Sequence, residues 1–197
     1  DTDTLTSVTG TFDDNGGNDT IKLNLETNNI NISTANTTDV DTIDLANDVD
    51  ATMSRAQNAK IAAAAGDNTV TLSDAGAATG DALVETYVLA AGAQTFTLGA
   101  AAQSVTADGT GANGAIVIDT DTQTTVSGTF TSAGNDTIKL NVEANNTNIS
   151  AATTTDVDTI DLAMDVDATM SRSQNAKIAA AAGDNTVTLS DAGAATG

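Results

Sequence analysis

The passage QNAKIAAAAGDNTVTLSDAGAATG occurs twice, letter for letter, at 57–80 and at 174–197. It is the centre of a longer correspondence. GNDTIKLN at 17–24 returns at 134–141, VDTIDLA at 40–46 returns at 157–163, and DVDATMSR at 48–55 returns at 165–172, each displaced by 117 residues. Upstream, GTF at 10–12 returns at 128–130, displaced by 118, because DDNG has become the shorter TSA. A deletion of that kind marks a surface loop. Repetition on this scale restricts the chain to modules that stack in series. The first unit runs from 1 to 118 and a partial second unit from 119 to 197, and the pattern is expected to continue as a tandem array.

A finer beat runs inside the unit. AQTFTLGAA, AQSVTADGTG, ANGAIVIDT and DTQTTVSGT follow one another, each offering one short strand and one turn of Gly, Ala, Asn or Asp. Two beats, about 20 residues, make one coil of a parallel β-solenoid, so a unit holds about six coils and advances roughly 30 Å at the usual strand spacing. The expected fold is therefore all-β, a parallel β-solenoid (β-helix) of tandem units of 117 residues, with β-sandwich repeats as the alternative. Alternation assigns the faces: Ile21, Leu23 and Leu25, Val70 and Leu72, and Phe96 and Leu98 point inward, with Lys22, Thr69, Thr71, Thr95 and Thr97 outward. One stretch per unit breaks the beat. Ser54 with Gln57, and Ser171 with Gln174, have the form of a capping box, and the alanines that follow predict a helix over 55–65 and 172–182 ending at Gly66 and Gly183.

Composition narrows the chemistry. The chain has no His and no Cys, which removes the commonest acid–base and nucleophilic groups and the usual zinc ligands. An enzyme is not expected. A formal charge of −21 argues against nucleic acid, and no apolar run approaches a membrane span. Carboxylates in turns are instead the donors that calcium prefers. They cluster as Asp39, Asp41 and Asp44 with their counterparts Asp156, Asp158 and Asp161, and again as Asp48/Asp50 and Asp165/Asp167, without the glycine and closing Glu of an EF-hand.

GGNDTI at 16–21 resembles the second half of the RTX nonapeptide, with Gly17, Asp19 and Ile21, and in the second unit Gly134, Asp136 and Ile138, in the glycine, aspartate and apolar positions. The preceding residues, DN and TS, depart from that motif. Together with TMSRAQNAKIAAAAGDNTVTLSDAG and VETYVLAAGAQTFTLGAAAQSVTADG, the whole chain resembles the repeats of very large bacterial surface proteins, RTX-like type I-secreted adhesins and S-layer-like proteins. The resemblance implies a secreted scaffold at the cell surface that calcium influences, with Asp19 and Asp136 among the ligands.

The function expected on these grounds is structural: a rod, filament or layer built by self-association, end to end or laterally. Near-verbatim repetition of Gln57, Asn58 and Lys60, read as surface residues, favours assembly; the stalk of a giant adhesin is the alternative. A remote alternative is an ice-binding face of Thr-x-Thr pairs, for which Thr69/Thr71 and Thr95/Thr97 qualify but Thr20/Lys22 and Thr42/Asp44 break the row.

Overall fold

The structure is a computed structural model and describes residues 1–107 and 114–193. The turn expected between SVTA and AIVID falls outside the described residues.

Every strand is short, and successive strands go alternately to two sheets. The odd-numbered sheet contains β1 (Lys22–Leu25), β3 (Thr42–Asn47) and β5 (Ile61–Ala65). After a break it continues through β7 (Ala77–Thr79), β9 (Gln94–Thr97), β11 (Ala115–Asp119), β13 (Thr137–Val142), β15 (Val157–Leu162) and β17 (Ile178–Ala181). The even-numbered sheet contains β2 (Ile30–Asn31), β4 (Ala51–Met53), β6 (Thr69–Leu72), β8 (Thr86–Leu89), β10 (Ser104–Ala107) and β12 (Phe130–Ser132). Beyond a second break lie β14 (Thr147–Asn148), β16 (Ala168–Met170) and β18 (Val187–Leu189). Neighbours within each sheet are parallel. The chain is thus an all-β solenoid of about eight turns. β13 to β18 repeat β1 to β6, so one unit spans six coils, as the beat predicted.

Pairing in register stacks like on like. Ile30, Ala51, Val70, Tyr87, Val105 and Phe130 form one inward column of the even sheet. Phe96, Ile118, Leu140 and Ile160 form one of the odd sheet. The two meet in a single thin core, where Tyr87 and Phe96 pack with ring centroids 4.8 Å apart. The assigned inward residues Leu23, Leu25, Val70, Leu72, Phe96 and Leu98 are buried. The repeat supplies its own control. Val70 and Leu72 are at 0% and 1% exposure beneath β8, whereas the identical Val187 and Leu189 are only half-buried, with no coil described beyond them. Burial belongs to the stack, not to the segment.

The helical expectation is corrected in length. α1 (Arg55–Asn58) and α2 (Arg172–Asn175) are single turns, each with both hydrogen bonds of the capping box. The alanines that follow become β5 and β17. Alanine favours helix over strand, but a helix there would leave the edge of β3 or β15 unpaired, and pairing wins. The register slips at both places, which is the local cost of that compromise. Gly66 and Gly183, with φ of 77° and 78°, therefore close a strand rather than a helix.

The Thr-x-Thr row is corrected as well. Thr69/Thr71 belong to the even sheet, and Thr95/Thr97, Lys22 and Thr42/Asp44 to the odd one. Beads adjacent in sequence sit on opposite sides because each coil feeds both sheets.

Coils are locked by specific contacts. The Tyr87 hydroxyl, fully buried, donates to Asn58 Oδ1 at 2.9 Å and accepts from the Asp81 amide at 2.8 Å, tying α1 to the following coil. Burial pushes its phenol far above the ordinary value; the Asp81 amide pulls it back, and the charges of Asp81 and Glu85 add to the rise. Because folding hinders ionisation, this group's contribution is intact below the unfolded value of about 10 and is lost as the pH climbs above it. Urea midpoints are expected to fall above that pH, and Tyr87→Phe, less stable at neutral pH, should show a shallower alkaline limb.

Backbones also approach closely. A Cβ on Gly128 would lie 1.9 Å from the Gln103 carbonyl oxygen, whereas Gly10, its counterpart in the first unit, meets nothing within 4 Å. Gly128→Ala is expected to cost about 3 kcal/mol in chemical denaturation. Gly10→Ala should stay within about 0.5 kcal/mol.

Candidate cation-binding corners

At each corner the strands leave backbone amides and carbonyls that need partners. Carboxylates reach across to supply them. Asp41 accepts from the Ile21 amide at 2.7 Å, and Asp158, its counterpart, from Ile138 at 2.8 Å. Asp48 and Asp165 each accept at 2.9 Å from the amides of Asp67 and Asp184; Asp50 and Asp167 accept from those of Thr69 and Thr186 at 3.0 and 2.9 Å. These bonds span 19 or 20 residues, one coil, so the aspartates expected as turn formers stitch neighbouring coils.

The predicted calcium set divides. Asp44 pairs with Lys22, and Asp161 with Lys139 at 3.3 Å, both on the outward face of the odd sheet. Their charge is already matched. Asp136, Asp156 and Asp158 line one cleft of about 420 Å³ with Ser132, Gly134, Asn135 and Thr137. There Asp136 accepts from the Gly114 amide at 2.7 Å with Oδ1, while its Oδ2 is buried without a partner among the described residues. Asp156 accepts from the Ser132 amide at 3.2 Å. In the first unit the residue that gathers others is Asp39, whose carboxylate lies with those of Asp13 and Asp14, oxygens within 4.8 Å of one another. Asp19 is exposed beside them in sequence but outside that cluster.

Asp13 and Asp14 were not singled out by sequence, though DDNG carries a turn signal. Each caps the loop, accepting from Asn15 and Gly16 amides at 2.7 and 2.8 Å. The second unit has Thr131 and Ser132 there, so the two acidic corners are not equivalent. The donor set at both is oxygen throughout, which suits calcium chemically. Glu143, directly after β13, is held above the usual carboxylate range by partial burial and then by the charges of Asp119 and Asp121.

Arg55, Lys60, Arg172 and Lys177 fall within the stretches expected as helix, and each makes specific contacts. Arg55 holds Asp74 through its backbone amide and Nε, at 2.8 and 3.0 Å, and donates to the Ala77 carbonyl. Lys60 Nζ sits in a cradle of three carbonyls, donating to Thr37 at 2.6 Å, Thr38 at 2.9 Å and Val40 at 2.7 Å. Lys177 repeats this with Thr154, Thr155 and Val157. An ammonium thus shapes the loop that carries Asp39 or Asp156. Gln57 and Asn58, at 2% and 3% exposure, are core locks: Gln57 Nε2 donates to the carbonyls of Ile32 and Ala35, and Asn58 Nδ2 to that of Thr79.

Fold and corners define a tandem-repeat parallel β-solenoid held by polar side chains at its turns. No known family, curated protein or solved structure matches the chain. Among the described residues no helix is long and apolar enough to cross a membrane.

Lys60→Met keeps the stem and removes the ammonium, taking a donor from three carbonyls, of which that of Thr37 keeps the Val40 amide at 3.1 Å. It is expected to cost about 2–3 kcal/mol in urea denaturation. Lys22→Met, which removes an exposed ion pair, should cost less than about 1 kcal/mol.

Proposed function

We propose that the chain is a segment of a non-enzymatic structural rod at a bacterial cell surface or in the extracellular matrix, secreted, lengthened by tandem units and self-associating end to end or laterally. The observation that carries this reading is the equivalence of the two units. β13 to β18 reproduce β1 to β6 with the same capping boxes, lysine cradles and interlocking amides, so adding units extends the same stack. The lack of His and Cys supports a role without catalysis, and the charge of −21 supports one without nucleic acid.

Calcium is proposed as a ligand of the corners, held by Asp13, Asp14 and Asp39 in the first unit and by Asp136, Asp156 and Asp158 in the second. Asp44 and Asp161 are left out of this set because lysines hold them. One observation favours the stalk of a very large adhesin as the second reading. Gln57 and Asn58 are repeated verbatim but buried, so their repetition serves coil stacking and supplies no contact between molecules.

Electron microscopy of the chain in millimolar calcium, and again with a chelator, separates these readings. Fibres or sheets with an axial repeat near one unit, about 29 Å for six coils, that disperse on chelation are the expected result. Isolated rods unchanged by chelator would reject assembly and calcium together and leave the passive stalk.

A further inference from the structure

The outward side of the even sheet is rich in hydroxyls. Across four consecutive coils, β6, β8, β10 and the strand leading into β12, it presents Thr69/Thr71, Thr86/Val88, Ser104/Thr106 and Thr129/Thr131 in register. Thr52 extends one of the two columns by a further coil. None of these positions is charged or aromatic. Between coils the side chains recur at about 4.8 Å, and along each strand at about 6.6 Å.

Several threonines elsewhere serve the fold. Thr2 and Thr120 accept from the amides of Glu26 and Glu143, and Thr147 donates to two carbonyls. On the even face the only hydroxyl bonds found among the described residues are within the array: Thr106 with Thr131 at 3.0 Å, and the Thr129 amide to Ser104 at 3.1 Å. The hydroxyls of Thr69, Thr71 and Thr86 are left for whatever lies outside.

We infer that this face binds crystalline water. Two columns of hydroxyls alternate with methyls on a two-dimensional grid whose repeats are of the order of those in ice planes. β-branching restricts each Thr to few rotamers, so the grid is ordered before any ligand arrives. A charged side chain would orient nearby water around itself; the four-coil array carries none, Asp50 standing at its edge one coil before Thr69, from whose amide it accepts at 3.0 Å, and Lys22–Asp44 and Lys139–Asp161 lie on the opposite sheet. The pairs that break a Thr row in sequence, Thr20/Lys22 and Thr42/Asp44, therefore do not interrupt this one. Competing ligands lack what they need. Tyr87, Phe96 and Phe130 are fully buried, so the face offers no ring on which a sugar could stack. It offers no cation to a nucleic acid or an anionic surface.

The test is partition of the 197-residue chain into slowly growing ice, together with inhibition of ice recrystallisation. The chain is expected to enter the ice and to keep crystals small. Thr71→Lys/Thr106→Lys should lose both effects, while Thr159→Lys on the odd sheet retains them; circular dichroism melting confirms that all three fold. Exclusion of the wild-type chain from ice, or undiminished entry of the double variant, would overturn the inference. So would sedimentation as a dimer that the double variant abolishes, which would make the face a contact between copies, or binding to crystalline cellulose in place of ice. These readouts do not depend on whether rods assemble, so they stand apart from the microscopy.

Discussion

Parallel coils can stack indefinitely only if their corners can be satisfied. Strands hand their amides and carbonyls to the coils on either side, but at each turn the ladder stops and backbone groups face inward or across a gap. Here side chains from a neighbouring coil complete the ladder: aspartates accept from amides, while Gln57, Asn58, Lys60 and Arg55 donate to carbonyls. The rest of the structure depends on these bonds. They fix the register, and register decides which small apolar side chain sits on which.

That dependence explains why the polar letters of SRAQNAK all return in the second unit as SRSQNAK, where only Ala56 has changed, to Ser173. Within SRAQNAK, Ser54 and Gln57 make the capping box, Arg55 holds Asp74 and the edge of β7, Gln57 and Lys60 reach carbonyls of the preceding coil, and Asn58 reaches Thr79 and Tyr87 of the following one. Replacing one of these polar letters would break bonds to a neighbouring coil. The inward column tolerates much more, passing through Ile, Ala, Val, Tyr and Phe at equivalent positions. A thin core built from short side chains is adaptable in size; a corner is not adaptable in chemistry.

The solenoid, the coil count and the strand faces were legible in the sequence because they rest on period, and period is local. Ser54 and Gln57 announced the helix start for the same reason. Its length was not legible: whether IAAAA is helix or strand is decided by the open edge of β3, eighteen residues earlier in the pairing of Ile43 with Ile61. The Thr grid was missed because sequence neighbours such as Thr86 and Thr95 go to different sheets, while Thr71 and Thr106 share one. The acidic residues were visible, their division was not. Nothing near Asp44 in sequence announces that Lys22 is its partner, whereas Asp39 meets Asp13 and Asp14 from a loop one coil away.

The allocation of charge then follows from a scarcity. Twenty-seven acids face six bases, and the bases are placed where a cation does most: two in carbonyl cradles, two at the helix turns, two on the odd sheet against aspartates. The acids without such a partner gather at corners, where they either accept from amides or crowd one another. The outward positions of β6, β8 and β10 carry neither kind. A single two-strand beat thereby produces three chemically different surfaces, acidic corners, an ion-paired face and an uncharged hydroxyl face. The ion pair returns from one unit to the next, so a surface of that kind is offered again as units are added, without a change in the fold.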